Sequence, residues 1–227
     1  MSKKIKVKDK TVTIYNDFDE ENKELPIIFY NTFSGDGESV WKKALEIGCK
    51  NYIFVVIGDI NWEDEMTPWK EPPIFRTDKK GYEGLADKHL EYIENVCLKE
   101  VINKIKCKPK SFILSGYSLG GLFSMYSMFK SKVFTKYISA SGSLWFPKFI
   151  DFINNNEFIN KPEKVYLSLG DKEKYTKEIS NCVEDNTNIL FNYLKDRNID
   201  TKYELNEGNH FKNVDLRIAK AIKWILE

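Results

Sequence analysis

The sequence predicts an α/β fold, a mostly parallel central sheet with helices on both faces. Three observations carry this. Strand-length runs of apolar residues recur without polar interruption, as strands buried on both faces require. Between them lie segments whose apolar residues return every three or four positions, the period of an amphipathic helix. The two kinds alternate along the chain, which is the order a parallel sheet with helical crossovers produces. With 227 residues, 42% apolar and 30% charged, the chain can bury one full core, and a single domain over residues 1–227 is expected.

Residues 6–15 alternate as an edge strand does, with Lys3, Lys4, Lys6, Lys8 and Lys10 facing water, and residues 17–24 form a polar turn region. Residues 25–30 (Leu-Pro-Ile-Ile-Phe-Tyr) read as a buried strand that empties into the small-residue loop 31–37. A helix over 39–47 carries Val40, Ala44 and Leu45 on one face and stops at Gly48. Residues 52–57 are a second buried strand. The stretch 58–80 is long and irregular and holds Trp62, Trp69, Pro68, Pro72 and Pro73; loops of that length in a compact domain are usually functional. Leu90, Ile93, Val96, Cys97, Val101 and Ile105 mark a long helix over 85–105. Residues 112–114 and 119–129 read as a strand and a helix, 137–141 as a strand, 148–154 as a short helix and 165–169 as a strand. A helix over 179–197, a last strand over 201–205 and a helix over 214–226 complete the chain.

A formal net charge of +1 gives no bulk attraction to nucleic acid, an anionic membrane or acidic ligands, so none of these is an expected partner. No apolar run approaches the roughly 20 residues that span a bilayer, and the first 20 residues lack a signal-peptide core. Cys49, Cys97, Cys107 and Cys182 are scattered, which reads as reduced thiols in a cytoplasmic protein. With only His89 and His210 and no ligand-spaced cluster, no metal or other cofactor is expected.

The chemistry gathers at residues 116–121, Gly-Tyr-Ser-Leu-Gly-Gly. The pattern G-x-S-x-G, entered from a strand and left by a helix, is a nucleophile elbow: a sharp turn that holds the serine hydroxyl clear of both elements. The glycines stand where a Cβ would collide as the chain reverses. A chain of this composition yields about 0.04 such matches by chance, so the strand-before and helix-after context is what makes Ser118 the candidate nucleophile.

A serine hydroxyl needs a general base, usually a histidine held by a third group. His89 falls inside the long helix, where a surface or core role is simplest. His210 falls in the turn after the last strand, within Gly208-Asn-His-Phe211, and is the candidate base. The acid would come from the loop after strand 165–169, where Asp171 and Glu173 compete. Glu173, a few residues beyond Gly170, is favoured, Asp171 could cap the next segment, and a Ser–His pair alone is the third option. The backbone N–H of Leu119 and that of Phe33 or a neighbour, in the loop after strand 25–30, are the expected oxyanion donors. Trp145, Trp62 and Trp69 are candidate substrate-binding walls, although tryptophans in long loops also serve simply to pack them.

Gly116-Tyr-Ser-Leu-Gly-Gly121, Ser141-Gly-Ser-Leu-Trp-Phe146, Gly170-Asp-Lys-Glu173 and Gly208-Asn-His-Phe211 together resemble the esterase family of α/β-hydrolases that includes the siderophore esterases and esterase D-like enzymes. The resemblance runs from about Pro26 to the C-terminus. It implies the α/β-hydrolase fold and a cofactor-independent serine esterase acting on a small-molecule ester; the sequence departs from larger members of the family in showing no long helical lid, so no large cap domain is expected. Ser118 would be nucleophile, His210 base, and Glu173 or Asp171 the acid. The same residues would serve an acyltransferase, and a binding module on a hydrolase scaffold is the non-catalytic alternative.

Overall fold

The structure is a computed structural model that describes residues 2–16, 23–175 and 178–227. Its described residues build an eight-stranded sheet in the order β1-β2-β4-β3-β7-β8-β9-β10. The strands are β1 (Ser2–Val7), β2 (Lys10–Tyr15), β3 (Glu24–Asn31), β4 (Ile53–Gly58), β7 (Lys108–Tyr117), β8 (Lys136–Ala140), β9 (Lys164–Gly170) and β10 (Asp200–Asn206). From β4 to β10 every neighbouring pair is parallel, while β1 pairs antiparallel with β2 and β2 with β4.

Both faces of the central strands are buried, which is why they read as continuous apolar runs. In β4, Ile53, Val55 and Ile57 point into one core and Phe54 and Val56 into the other. The two-residue period of a strand sorts them. The first core is covered by α3 (Ala86–Tyr92), α4 (Leu98–Ile102), α5 (Leu119–Lys130), α6 (Phe149–Asn155) and α7 (Val183–Asp196); the second by α1 (Glu38–Glu46) and α8 (Val214–Leu226), which pack on each other.

Three expectations are revised. The alternating segment 6–15 is not one edge strand but half of a hairpin: β1 and β2 meet across Lys8-Asp9, with Lys8 at φ 54°. Alternation alone does not reveal where a strand turns back. The helix expected over 85–105 is interrupted by a π-helical turn, Ile93–Cys97, and ends at Ile102. The extra residue in that turn keeps Ile93, Cys97 and Val101 all buried. The irregular stretch 58–80 contains a short helix α2 (Trp62–Glu65) and strand β5 (Lys70–Glu71), which pairs with β6 (Tyr82–Glu83) outside the main sheet. Of the polar turn expected over 17–24, residues 17–22 lie outside the described residues. No helix among the described residues is long and apolar enough to cross a membrane.

Candidate active site

The carboxyl ends of β3, β7, β8, β9 and β10 share one edge of the sheet, and the chemistry-bearing residues leave from those ends, as in open α/β sheets generally. At the end of β7 the chain turns sharply into α5. Ser118 sits on that turn at φ 57°, ψ −124°, a backbone state that costs a non-glycine residue roughly 1–3 kcal/mol. The surroundings hold it there. Ser118 N–H donates to Ala140 O at 3.2 Å, and Ser118 O accepts from Gly121, Leu122 and Ser143 N–H at 3.0–3.1 Å. A Cβ on Gly116 would lie 2.1 Å from the Gly120 backbone, and one on Gly121 would meet Ser139 Oγ at 2.7 Å. Gly116 and Gly121 are therefore fixed by close approach of strand to helix, whereas a Cβ on Gly120 would meet the Trp62 ring at 3.0 Å.

Ser118 Oγ lies 3.0 Å from His210 Nε2, and His210 Nδ1 lies 2.7 Å from Glu173 Oε2. The structure thus brings together three of the four residues proposed for catalysis from sequence. Glu173 is nearly enclosed, its side chain 5% exposed. Burial alone would raise its pKa, but hydrogen bonds from His210, the Gly170 N–H (2.6 Å) and Ser141 Oγ (2.7 Å) outweigh it and hold the carboxyl below its ordinary value.

Asp171 does not reach the histidine ring. Its carboxylate accepts the Gly208 N–H at 2.8 Å and its own N–H donates to Asn206 O, so it ties the β9 loop to the loop that carries His210. Asp171 follows the strand too closely to swing its short side chain over the site, whereas the turn closed by Glu173 N–H to Gly170 O at 3.1 Å brings Glu173 back.

Two further residues complete the support. Arg217, on α8, is 1% exposed. Its Nη1 donates to Glu173 Oε1 (2.9 Å), Ser141 Oγ (2.8 Å) and Tyr117 OH (3.2 Å), and its Nη2 to Asn209 O (2.9 Å) and Glu207 O (3.3 Å). One guanidinium therefore grips the acid and the chain that leads into the histidine. Tyr117, the variable residue of the elbow, donates from its hydroxyl to His210 O at 2.5 Å. Neither role was read from the sequence. An arginine in an amphipathic C-terminal helix looks like a solvated charge; its position one helical turn from the apolar Val214 and Ala221 is the available signal.

Leu119 occupies the first position of α5, where its N–H has no acceptor within the helix. Phe33 lies in the β3–α1 loop, 71% exposed, its ring edge-on to Trp62 at 5.6 Å. That loop is held by Thr32 N–H to Ile57 O (3.0 Å) and Thr32 Oγ1 to Ser34 O (2.7 Å).

Two cavities meet at the serine, and Ser118, His210 and Phe211 line both. The larger, about 760 Å³, is walled by Phe33, Trp62, Tyr30 and Tyr117; the smaller, about 330 Å³, by Phe75, Trp145, Gly142 and Val183. Trp145 stands edge-on to Phe75 at 4.9 Å. Trp69, expected as a third aromatic wall, lines neither. It packs among Tyr126, Phe146 and Phe152 and donates from Nε1 to Pro147 O at 3.1 Å, which staples the 58–80 stretch to the core. His89 is buried and does not approach Ser118; its Nε2 lies 2.9 Å from Asn31 Oδ1. Among the described residues no group of three or more His, Cys, Asp or Glu could hold a metal ion.

No family model matches the chain. It is 25% identical over 222 residues to the uncharacterized protein YbbA of Bacillus subtilis, covering 86% of this chain and 88% of that one. Among solved structures, it is similar to the siderophore hydrolase EstA of Aspergillus nidulans, with a TM-score of 0.76 at 20% identity over 99% of this chain and 93% of that one. It is similar also to an IroE-like serine hydrolase of Shewanella oneidensis, at 0.79, 16%, 100% and 79%, and to the BES protein of Bacillus cereus, at 0.72, 20%, 100% and 96%. Similarity at these identities speaks to architecture, and together with the strand order and the elbow between β7 and α5 it establishes that the chain has the α/β-hydrolase fold.

Proposed function

We propose that the protein is a serine esterase that cleaves a carboxylic ester through an acyl-enzyme on Ser118. One observation carries the proposal: the unbroken hydrogen-bond chain from Ser118 Oγ through His210 to Glu173, at 3.0 and 2.7 Å. These are working distances for general-base activation. The fold-level similarity to proteins described as serine and siderophore hydrolases supports the same reaction class.

In the first half-reaction Ser118 Oγ attacks the ester carbonyl as its proton passes to His210 Nε2. The imidazolium so formed is stabilised by Glu173, which stays ionised because its pKa is held low. Negative charge gathers on the former carbonyl oxygen, toward which the N–H groups of Leu119 and Phe33 are proposed to donate. Collapse expels the alcohol, which takes the proton from His210. In the second half a water gives one proton to His210 and attacks the acyl carbon; as the bond to Ser118 Oγ breaks, His210 returns that proton to Oγ and the acid leaves. The two cavities that meet at the serine offer separate room for the acyl and alcohol portions. Free Cys49, Cys97, Cys107 and Cys182 suit a reducing compartment, and cytoplasmic residence belongs to the proposal.

The test is labelling of the native protein with a fluorophosphonate, followed by peptide mass spectrometry, alongside turnover of nitrophenyl esters of increasing acyl length. A single adduct on Ser118 and ester turnover that disappears in Ser118→Ala are expected. A folded wild-type protein with no adduct and no turnover above Ser118→Ala would leave only a binding role for the scaffold. Added alcohol that diverts product from acid to ester would assign acyl transfer to the same residues.

A further inference from the structure

At the end of β3 lies a second chain of polar groups that the triad does not use, three of them buried and Glu65 half-buried. Lys10, on β2, is 4% exposed, and its Nζ lies 2.9 Å from Glu65 of α2. Glu65 Oε2 lies 2.8 Å from Nδ1 of His89, whose side chain is fully buried in α3. His89 Nε2 in turn lies 2.9 Å from Oδ1 of Asn31, itself 0% exposed. Four polar side chains from four separate elements thus stand in line where apolar packing would be simpler; the step from Glu65 to His89 Nδ1 is a close charge contact without hydrogen-bond alignment.

The far end of that chain gives it a meaning. Asn31 is the last residue of β3, in register with Gly116 of β7 and Ile57 of β4. Thr32 and Phe33 follow directly. The Asn31 carbonyl also abuts the elbow, since a Cβ built on Gly120 would lie 3.5 Å from it. The backbone of Asn31 therefore touches the start of α5 while its side chain is gripped from behind by His89. A change at His89 moves the residue from which the loop departs. The Asn31 amide can meet the ring in either sense, because a half-turn exchanges its carbonyl and NH₂ ends.

We infer that His89 is a positioning residue, which through Asn31 and with Glu65 and Lys10 behind it fixes the β3–α1 loop so that the Phe33 N–H faces the oxyanion. The inference rests on the esterase reading and on Phe33 as second donor. Its consequence is specific: weakening the grip disturbs the tetrahedral state far more than the bound ester, because the donor is needed only when charge develops on oxygen.

The experiment compares His89→Leu, His89→Gln and Glu65→Gln with wild type. Steady-state ester kinetics are measured with inhibition by a trifluoromethyl ketone, which adds Ser118 to form a tetrahedral adduct, and by the matching methylene ether, which cannot. In His89→Leu, kcat and ketone affinity are expected to fall together by roughly 10- to 100-fold, with KM and ether affinity within about threefold. Glutamine can still reach Asn31, so His89→Gln restores most of both. Glu65→Gln, whose side chain is partly exposed, falls between and covers the case in which His89→Leu does not fold. Unchanged kcat and ketone affinity in the folded variants overturns the inference. So do equal losses of ketone and ether affinity that His89→Gln does not repair, which is the mark of a merely structural histidine. Absence of fluorophosphonate labelling in wild type removes the esterase reading itself and this inference with it.

Discussion

Replacing Arg217 by methionine tests how the triad is held. The guanidinium is 1% exposed and joins Glu173, Ser141, Tyr117 and the carbonyls of Glu207 and Asn209. Methionine fills most of the volume and removes every donor. Removing one partner of a buried ion pair typically costs about 3–5 kcal/mol, because the other charge stays behind. Here Glu173 retains the Gly170 N–H, Ser141 and His210, and residues 207 and 209 are exposed enough for water to reach their carbonyls, so the lower figure applies. A loss of about 3 kcal/mol in a domain of this size lowers Tm by roughly 6–12 °C. The same change frees the segment leading into His210 and leaves Glu173 a partner short, so kcat is expected to fall by about 10- to 100-fold even well below the new Tm. Thermal unfolding followed by circular dichroism and ester turnover at 20 °C measure the two effects. Arg217→Lys keeps the charge, but one ammonium cannot span the acid and the loop carbonyls, so stability returns in part while kcat stays depressed. A Tm within about 2 °C of wild type with unchanged kcat would refute the reasoning, since a buried hub of five hydrogen bonds could not then be holding the loop.

Glu173→Ala is expected to lower kcat by about 10²–10⁴-fold, whereas Asp171→Ala, which loses only the brace to Gly208, lowers it less than about tenfold; equal, mild losses on a chromogenic ester would favour a Ser118–His210 pair acting alone. The depressed pKa of Glu173 also sets a pH dependence. A group whose native pKa lies below its ordinary value, here 4.5, stabilises the fold fully above that value, and the contribution is lost as pH falls through the lower native one. The stability difference between wild type and Glu173→Gln, from urea unfolding, should therefore be constant above about pH 5.5 and shrink below 4.5; a difference that grows on acidification would contradict the sign. Trp145→Ala is expected to alter KM among esters that differ in size, because Trp145 lines the smaller cavity, with little change in Tm. Trp69→Ala should do the reverse, costing about 3 kcal/mol of stability and leaving KM unchanged.

The sequence by itself determined the elements that have local causes. Uninterrupted apolar runs announced β3 and β4, because strands covered on both faces need no polar residues. The elbow was legible because its glycines answer to contacts a few residues away, Gly116 against Gly120. His210 stood out because the only other histidine lay in mid-helix. What only the tertiary structure decided were relations between residues distant in the chain. Asp171 and Glu173 share one loop, and nothing local separates them; the choice was made by the His210 ring, 37 residues on, together with Arg217, 44 residues on. Trp69 looked like Trp145 until the 58–80 stretch folded down and used it as a staple. His89 reads in sequence as a helix residue, and its place beside Asn31 depends on α3 crossing the end of β3, a contact 58 residues apart in sequence. Periodicity and turn chemistry are written in neighbouring residues, whereas the partner of a buried polar group is chosen by packing, which a linear pattern does not encode.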